Sequence, residues 1–155
     1  MREIEFRGMT EDGRWAYGNL CRTLPRDYIM DRYCKLHQVR RETVGEYIGF
    51  TDKSGNGKYI FEGDIIKKFG REKKGMDADY LSTYEIIFKD GCFFAKAKED
   101  YLLRRDGALL KDVFSWIQEL IRENPGMDSW VEVVGNIHDN PELLKELKNG
   151  EILLP

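Results

Sequence analysis

The sequence has few of the residues that build disulfide frameworks or metal centres. Only three of its 155 residues are cysteines and only two are histidines. No two cysteines form a Cys-x-x-Cys pair, and an odd, scattered set is typical of reduced thiols in a cytoplasm. His37 follows Cys34 by three residues, but a zinc site needs four ligands at close spacing. We therefore expect no disulfide, no metal site and no cofactor.

The sequence also lacks long apolar runs and a secretion signal. No run approaches the roughly 18 apolar residues that a membrane-spanning helix needs. The first nine residues, MREIEFRGM, carry charges throughout and do not form the apolar segment of a signal peptide. We expect a cytoplasmic protein without a membrane partner.

Phosphate-binding motifs are absent as well. A P-loop requires Ser or Thr after its Gly-Lys step, whereas Gly57-Lys58 is followed by Tyr59. Neither the dinucleotide fingerprint Gly-x-Gly-x-x-Gly nor the nucleophile elbow Gly-x-Ser-x-Gly occurs. The glycines around position 57 are better explained by a turn with positive φ.

What the chain does contain is enough apolar sequence for a core. Its residues are 41% hydrophobic and 12% aromatic, which argues against disorder, and its length corresponds to a single domain, residues 1–155. Charge is uneven along the chain. Residues 1–74 hold 16 Lys/Arg and 12 Asp/Glu, a net charge of +4, while residues 75–155 hold 9 and 16, a net charge of −7. An anionic partner of the first half or self-complementary packing and assembly would both explain this asymmetry.

Periodicity predicts a mainly β fold with seven or eight short strands. Ile4 and Phe6 alternate with charged residues, and Trp15 and Tyr17 resume the alternation after a turn. Asp90-Gly91 is the strongest hairpin signal in the chain, because this dipeptide favours a type I′ turn. Short strands joined by tight turns indicate a small bent-sheet or barrel domain.

Two late α-helices are also predicted, at about 109–123 and 141–148. Apolar residues recur at helical spacing through the first segment, from Leu109 to Ile121. Asn140 and Pro141 suit the N-cap and first position of the second. An apolar face on a late helix, or the hydrophobic C-terminal tail 152–155, would also suit self-association.

Basic residues interleave with aromatic residues in two stretches, 22–41 and 67–74. Cations that contact phosphates, beside rings that stack on bases, are the physical recipe for binding single-stranded nucleic acid. Nearby acids and the chain's pI of about 5.5 favour an ordinary solvated surface instead. The candidate nucleic-acid-binding residues are Arg22, Arg26, Arg32, Lys35, Arg40, Arg41, Lys67, Lys68, Arg71, Lys73 and Lys74.

The clustered carboxylates Asp52, Glu62 and Asp64 are the alternative centre of function. Paired carboxylates in contrasting environments can perform acid–base chemistry on a nucleotide or nucleic acid. The competing interpretation is structural, because Gly63-Asp64 before an apolar strand is typical of a turn whose aspartate accepts backbone N–H groups.

Several blocks of the sequence occur in an order and at a spacing typical of one known family: REIEFR (2–7), TVGEYIGFTDKSG (43–55), IFEGDII (60–66), VEVVGNI (131–137) and NPELL (140–144). In these blocks the chain is similar to YopX-family proteins of bacteriophages and prophages, mostly in Gram-positive bacteria. The resemblance implies a mostly β fold and supplies neither an activity nor catalytic residues. It leads to the hypothesis of a non-enzymatic phage accessory protein that binds a nucleic-acid or protein partner or self-assembles.

Overall fold

The computed structural model describes residues 3–52, 57–72, 79–97, 114–116 and 127–144. These residues divide between two compact units. Unit 1 falls within Met1–Thr51 and Tyr59–Glu62, and unit 2 within Asp52–Lys58 and Gly63–Pro155. The prediction that residues 1–155 form a single domain stays a prediction.

Unit 1 is a six-stranded antiparallel sheet with the strand order β4-β3-β2-β1-β5-β6. The predicted N-terminal hairpin is present, closed by a turn in which the N–H of Thr10 donates to the carbonyl of Arg14 at 2.8 Å. A 3-10 helix, Arg41–Thr43, connects β4 to β5. The strands are β1 (Phe6–Met9), β2 (Trp15–Arg22), β3 (Asp27–Met30), β4 (Leu36–Val39), β5 (Gly45–Thr51) and β6 (Tyr59–Phe61).

One face of this sheet forms an apolar core. Ala16, Ile29 and Val39 are buried there, with partly buried apolar neighbours on adjacent strands. Gly18 of β2 allows the backbone of β3 to approach closely. Its φ is +146°, and a Cβ atom there would lie 2.0 Å from the carbonyl oxygen of Met30, so only glycine permits this approach.

Unit 2 is a five-stranded antiparallel sheet with the order β10-β9-β8-β7-β11. Asp90 and Gly91 have φ of 50° and 81°, so the predicted hairpin between β8 and β9 is confirmed, with positive φ at both turn residues. Ile65, Ile86 and Val131 are among its fully buried residues. The strands are β7 (Asp64–Glu72), β8 (Asp79–Lys89), β9 (Cys92–Ala97), β10 (Phe114–Trp116) and β11 (Met127–Asn136).

The prediction of a mainly β fold is confirmed, but the two late α-helices are not supported. Residues 114–116, in the middle of the helix predicted at 109–123, form β10 and pair with β9 in the register Phe114↔Lys96. Pairing with a neighbouring strand overrides the helical spacing of the apolar residues. The helix predicted at 141–148 is a 3-10 helix over Pro141–Leu144. The rest of both segments and the tail 152–155 lie outside the described residues.

The described strands form two open sheets and no closed barrel, so the barrel form of the fold prediction is wrong. Within the part of the chain that the structure describes, no helix is long and apolar enough to cross a membrane.

Candidate functional site

The basic-aromatic stretch 22–41 is a hairpin at one edge of the unit 1 sheet. We call it the basic hairpin. Its strands β3 and β4 pair in the register Tyr28↔Gln38 and Ile29↔His37, and β4 is the terminal strand of the sheet. The stretch holds six Lys/Arg and only two acids, Asp27 and Asp31.

Asp27 forms an ion pair with Arg41 inside the hairpin. Its carboxylate is buried and accepts hydrogen bonds from Nε of Arg41 at 2.8 Å and from Nη2 of Arg41 at 3.2 Å. These bonds from Arg41 hold the pKa of Asp27 below its usual range, with a smaller contribution from the charge of Arg22. Asp27 therefore stays ionised and neutralises one of the six cations.

Asp31 is hydrogen-bonded within the turn between β3 and β4. Its Oδ1 accepts the backbone N–H groups of Tyr33 at 2.9 Å and Lys35 at 3.0 Å, and its Oδ2 lies 2.8 Å from Nε2 of His37. Because an ionised carboxylate only accepts, Nε2 of His37 carries the proton of this bond. The bond from His37, and then that from the Lys35 N–H, hold the pKa of Asp31 below its usual range.

Four cations of the hairpin remain at the surface: Arg22, Arg26, Arg32 and Lys35 are all exposed. Arg26 donates from Nη1 to Oε1 of Gln38 at 3.2 Å. The guanidinium of Arg32 lies 5.6 Å from the centroid of the Tyr33 ring, which is 80% exposed. Positive charge and an exposed ring thus meet at the tip of the hairpin.

The other two predicted cations of this stretch are positioned differently. Arg40 is half-buried, and its Nη2 contacts the sulfur of Met9. Arg41 is exposed at 58% of its side chain but is tied to Asp27. Both are less suited to contact a phosphate than the four exposed cations.

The second predicted basic stretch belongs to unit 2. Lys67 and Lys68 are half-buried neighbours on β7 and so point to opposite faces of the sheet. Burial lowers the pKa of Lys68. Arg71 lies on β7 in register with Asp128, and Lys73 and Lys74 lie outside the described residues. Lys67 and Lys68 therefore do not form one patch on a single face.

Of the predicted carboxylates, Asp52 has the backbone hydrogen bonds of a structural aspartate. Asp52 is 3% exposed, and its Oδ1 and Oδ2 accept the backbone N–H groups of Lys58 at 2.7 Å and Val133 at 3.0 Å. Asp64 is buried at the start of β7, and Glu62 is half-buried with its backbone carbonyl bonded within unit 1. Among the described residues, no group of three or more His, Cys, Asp or Glu side chains could hold a metal ion.

Sequence reasoning missed an arginine buried among aromatic rings in unit 1. Arg7 is 6% exposed, and its guanidinium lies 4.6 Å from the centroid of the Trp15 ring and 5.0 Å from that of Phe61. Its Nη2 donates to the carbonyl oxygen of Glu62 at 3.3 Å. The sequence signal for this position is the strand alternation in β1. Arg7 pairs with Tyr17 of β2, so the two side chains point to the same face of the sheet.

The same unit carries an open cleft, which sequence reasoning also missed. Its volume is about 720 Å³. We call it the aromatic cleft. The rings of Tyr47 and Tyr59 stack beside it, with centroids 4.6 Å apart and an interplanar angle of 19°. Its lining includes Glu3, Glu5, Trp15, Tyr17 and Tyr59, and it shares Asp31, Arg32 and Tyr33 with the tip of the basic hairpin.

Comparison with protein families matches residues 5–145 to the family model described as YopX protein. Comparison with curated proteins gives no match. The matched range includes the basic hairpin and the greater part of both sheets.

Proposed function

Because the chain belongs to the YopX family, we propose that it is a non-enzymatic accessory protein of a phage or prophage that binds a macromolecule in the host cytoplasm. The favoured partner is single-stranded nucleic acid, and the surface is the basic hairpin. Self-association through residues 109–123 or the tail 152–155 is a second part of the proposal. Light scattering after size-exclusion chromatography tests that second part, and a monomer at all concentrations would contradict it.

One observation carries the nucleic-acid proposal: both acids of the basic hairpin are occupied internally. Asp27 is paired with Arg41, and Asp31 is bonded to His37 and to the turn backbone. The side-chain bonds of both acids therefore go to Arg41, to His37 and to the turn backbone, and leave the side chains of the four exposed cations available. Arg32 and Lys35 belong to the same turn as the exposed Tyr33 ring, and Arg22 and Arg26 are exposed at the other end of β3. The hairpin therefore supplies both contacts that a single strand needs, phosphate neutralisation and base stacking.

Fluorescence anisotropy with short single- and double-stranded DNA and RNA tests the proposal at about 50 and 200 mM salt. We expect single strands to bind at the lower concentration and to weaken as salt rises, because each neutralised phosphate releases counterions. The variant Arg26→Gln/Lys35→Gln should bind all sequences more weakly, with a logarithmic salt slope smaller by about 1–2.

A charge-matched variant provides the control. Lys89→Gln/Lys96→Gln removes two exposed cations from unit 2 and should leave affinity and salt slope unchanged. An equal loss in both variants would show that net charge alone drives binding. No binding by the wild-type protein at low salt would overturn the proposal.

The alternative function, an enzyme or binder acting through Asp52, Glu62 and Asp64, has less support. Both carboxylate oxygens of Asp52 already accept backbone N–H groups, as expected for a structural aspartate. Melting curves with Mg²⁺, Mn²⁺ and nucleotides test this alternative. A rise in melting temperature that disappears in Asp52→Asn would favour it over the binding proposal.

A further inference from the structure

We propose that the aromatic cleft of unit 1 binds an arginine side chain presented by an extended segment of a partner protein. The cleft shares Arg32 and Tyr33 with the basic hairpin, but the two ligands differ in charge, since the cleft takes a cation and the hairpin an anion. It does not depend on the nucleic-acid proposal.

Two carboxylates form the charged wall of the cleft. Glu3 and Glu5 precede β1, and both line the cleft. Burial of Glu5, together with the nearby charge of Glu3, raises the pKa of Glu5, and Arg32 opposes this shift. A cation beside the two carboxylates would offset both the cost of burying the charge of Glu5 and its repulsion by Glu3.

The cations already lining the cleft have other contacts. Nη2 of Arg14 is held by the carboxylate of Asp12 at 2.6 Å, and Arg32 lies over the Tyr33 ring. The two negative charges of Glu3 and Glu5 therefore exceed the one positive charge of Arg32 near them. The wall formed by Glu3 and Glu5 is complementary to a cationic group.

Flat aromatic surfaces explain why the cation should be a guanidinium. Tyr59 is 43% exposed and is braced from beneath by the buried ring of Tyr47, while Tyr17 is 46% exposed. A planar guanidinium stacks on such rings and can bond a carboxylate at its edge, whereas an ammonium group offers only a point charge.

The chain supplies an example of this geometry on the same face of the same sheet. The guanidinium of Arg7 lies against the rings of Trp15 and Phe61 at 4.6 and 5.0 Å and bonds a carbonyl oxygen at its edge. The volume of about 720 Å³ falls in the range of ligand pockets and exceeds the room that one side chain fills, so a peptide segment fits better than a single amino acid.

The test is fluorescence anisotropy with a fluorescein-labelled Gly-Arg-Gly-Arg-Gly peptide and with the same peptide carrying citrulline at both arginines. Citrulline keeps the shape of arginine and removes its charge. We expect the citrulline peptide to bind about tenfold more weakly. Glu3→Gln/Glu5→Gln should weaken binding of the arginine peptide by a similar factor.

Matched variants separate the site from general attraction to an acidic protein. Glu42→Gln/Asp90→Asn removes two exposed acids elsewhere and should bind like the wild type. Tyr59→Phe should retain binding and Tyr59→Leu should lose it several-fold, a comparison that decides the question even where the double glutamate variant folds poorly. Equal binding of the two peptides, equal loss in both acid variants, or no binding of the arginine peptide at about 1 mM would overturn the proposal.

Discussion

Replacing Asp52 by alanine tests whether this buried carboxylate maintains the fold of unit 2. Its two oxygens accept the N–H groups of Lys58 and Val133, which are 75 positions apart in the sequence, so one side chain links Lys58 to β11. Removing it leaves two backbone donors without this acceptor. Each buried donor left without a partner costs about 1–3 kcal/mol, and water can reach the exposed Lys58 more easily than the half-buried Val133.

We therefore expect Asp52→Ala to lower the free energy of unfolding by about 2–4 kcal/mol. For a chain of this size, that loss corresponds to a fall in melting temperature of roughly 4–16 °C. Asp52→Asn should lower the free energy of unfolding less than Asp52→Ala does, because the asparagine amide keeps one acceptor oxygen. Its NH2 group cannot accept from the other backbone N–H, so part of the loss remains. Urea unfolding followed by circular dichroism measures both losses.

Asp90→Asn is the matched control. Asp90 is exposed at a turn with φ of 50°, a conformation that asparagine also adopts easily, so its replacement should change the free energy of unfolding by less than about 0.5 kcal/mol. A loss of less than about 0.5 kcal/mol in Asp52→Ala would refute the structural interpretation of this carboxylate.

Two further predictions concern cooperativity and acid stability. Ile29 in unit 1 and Ile65 in unit 2 are both 0% exposed, so replacing either by alanine should lower the free energy of unfolding by about 2–5 kcal/mol. If the chain is one domain, each variant lowers the temperature of the same single calorimetric transition. Two transitions that move separately would contradict that prediction. The folded-state pKa of Asp31 is lowered, so this group stabilises the fold above its unfolded pKa of about 3.9, and the contribution is lost as pH falls through the folded value. The urea midpoint of the wild type should therefore fall more steeply than that of Asp31→Asn between about pH 5 and pH 2, and parallel curves would show that Asp31 contributes nothing.

Local signals predicted the hairpins well. Asp90-Gly91 fixed a turn because few residues adopt positive φ readily, and the turn needs positive φ at both positions. Gly63, in the turn predicted before β7, has a φ of 81°. Such features depend on two to four neighbouring residues, so a single sequence contains the information needed to predict them.

Long-range pairing could not be predicted from the same information. The apolar residues between 109 and 123 satisfy a helical period, yet Phe114 to Trp116 align with β9, about twenty residues earlier in the sequence. Short apolar runs fit both periods, and the available neighbour decides between them. The aromatic cleft was missed for a similar reason, because Tyr59 joins Glu3 and Glu5 only after β6 pairs with β5.

The position of individual charges matters more to the binding proposals than the net charge of −3. Asp27 and Asp31 lower the net charge of residues 22–41, but each is bonded within the hairpin, Asp27 to Arg41 and Asp31 to His37, so the side chains of Lys35 and Arg26 stay available to a partner. An acidic chain can therefore present a cationic surface, because a partner responds to the potential at the contact and not to the sum over the chain. The same reasoning applies to the aromatic cleft with the signs reversed. Loss of nucleic-acid binding alone in Arg26→Gln/Lys35→Gln, and of arginine-peptide binding alone in Glu3→Gln/Glu5→Gln, would establish that unit 1 uses its cations and its carboxylates for two different ligands.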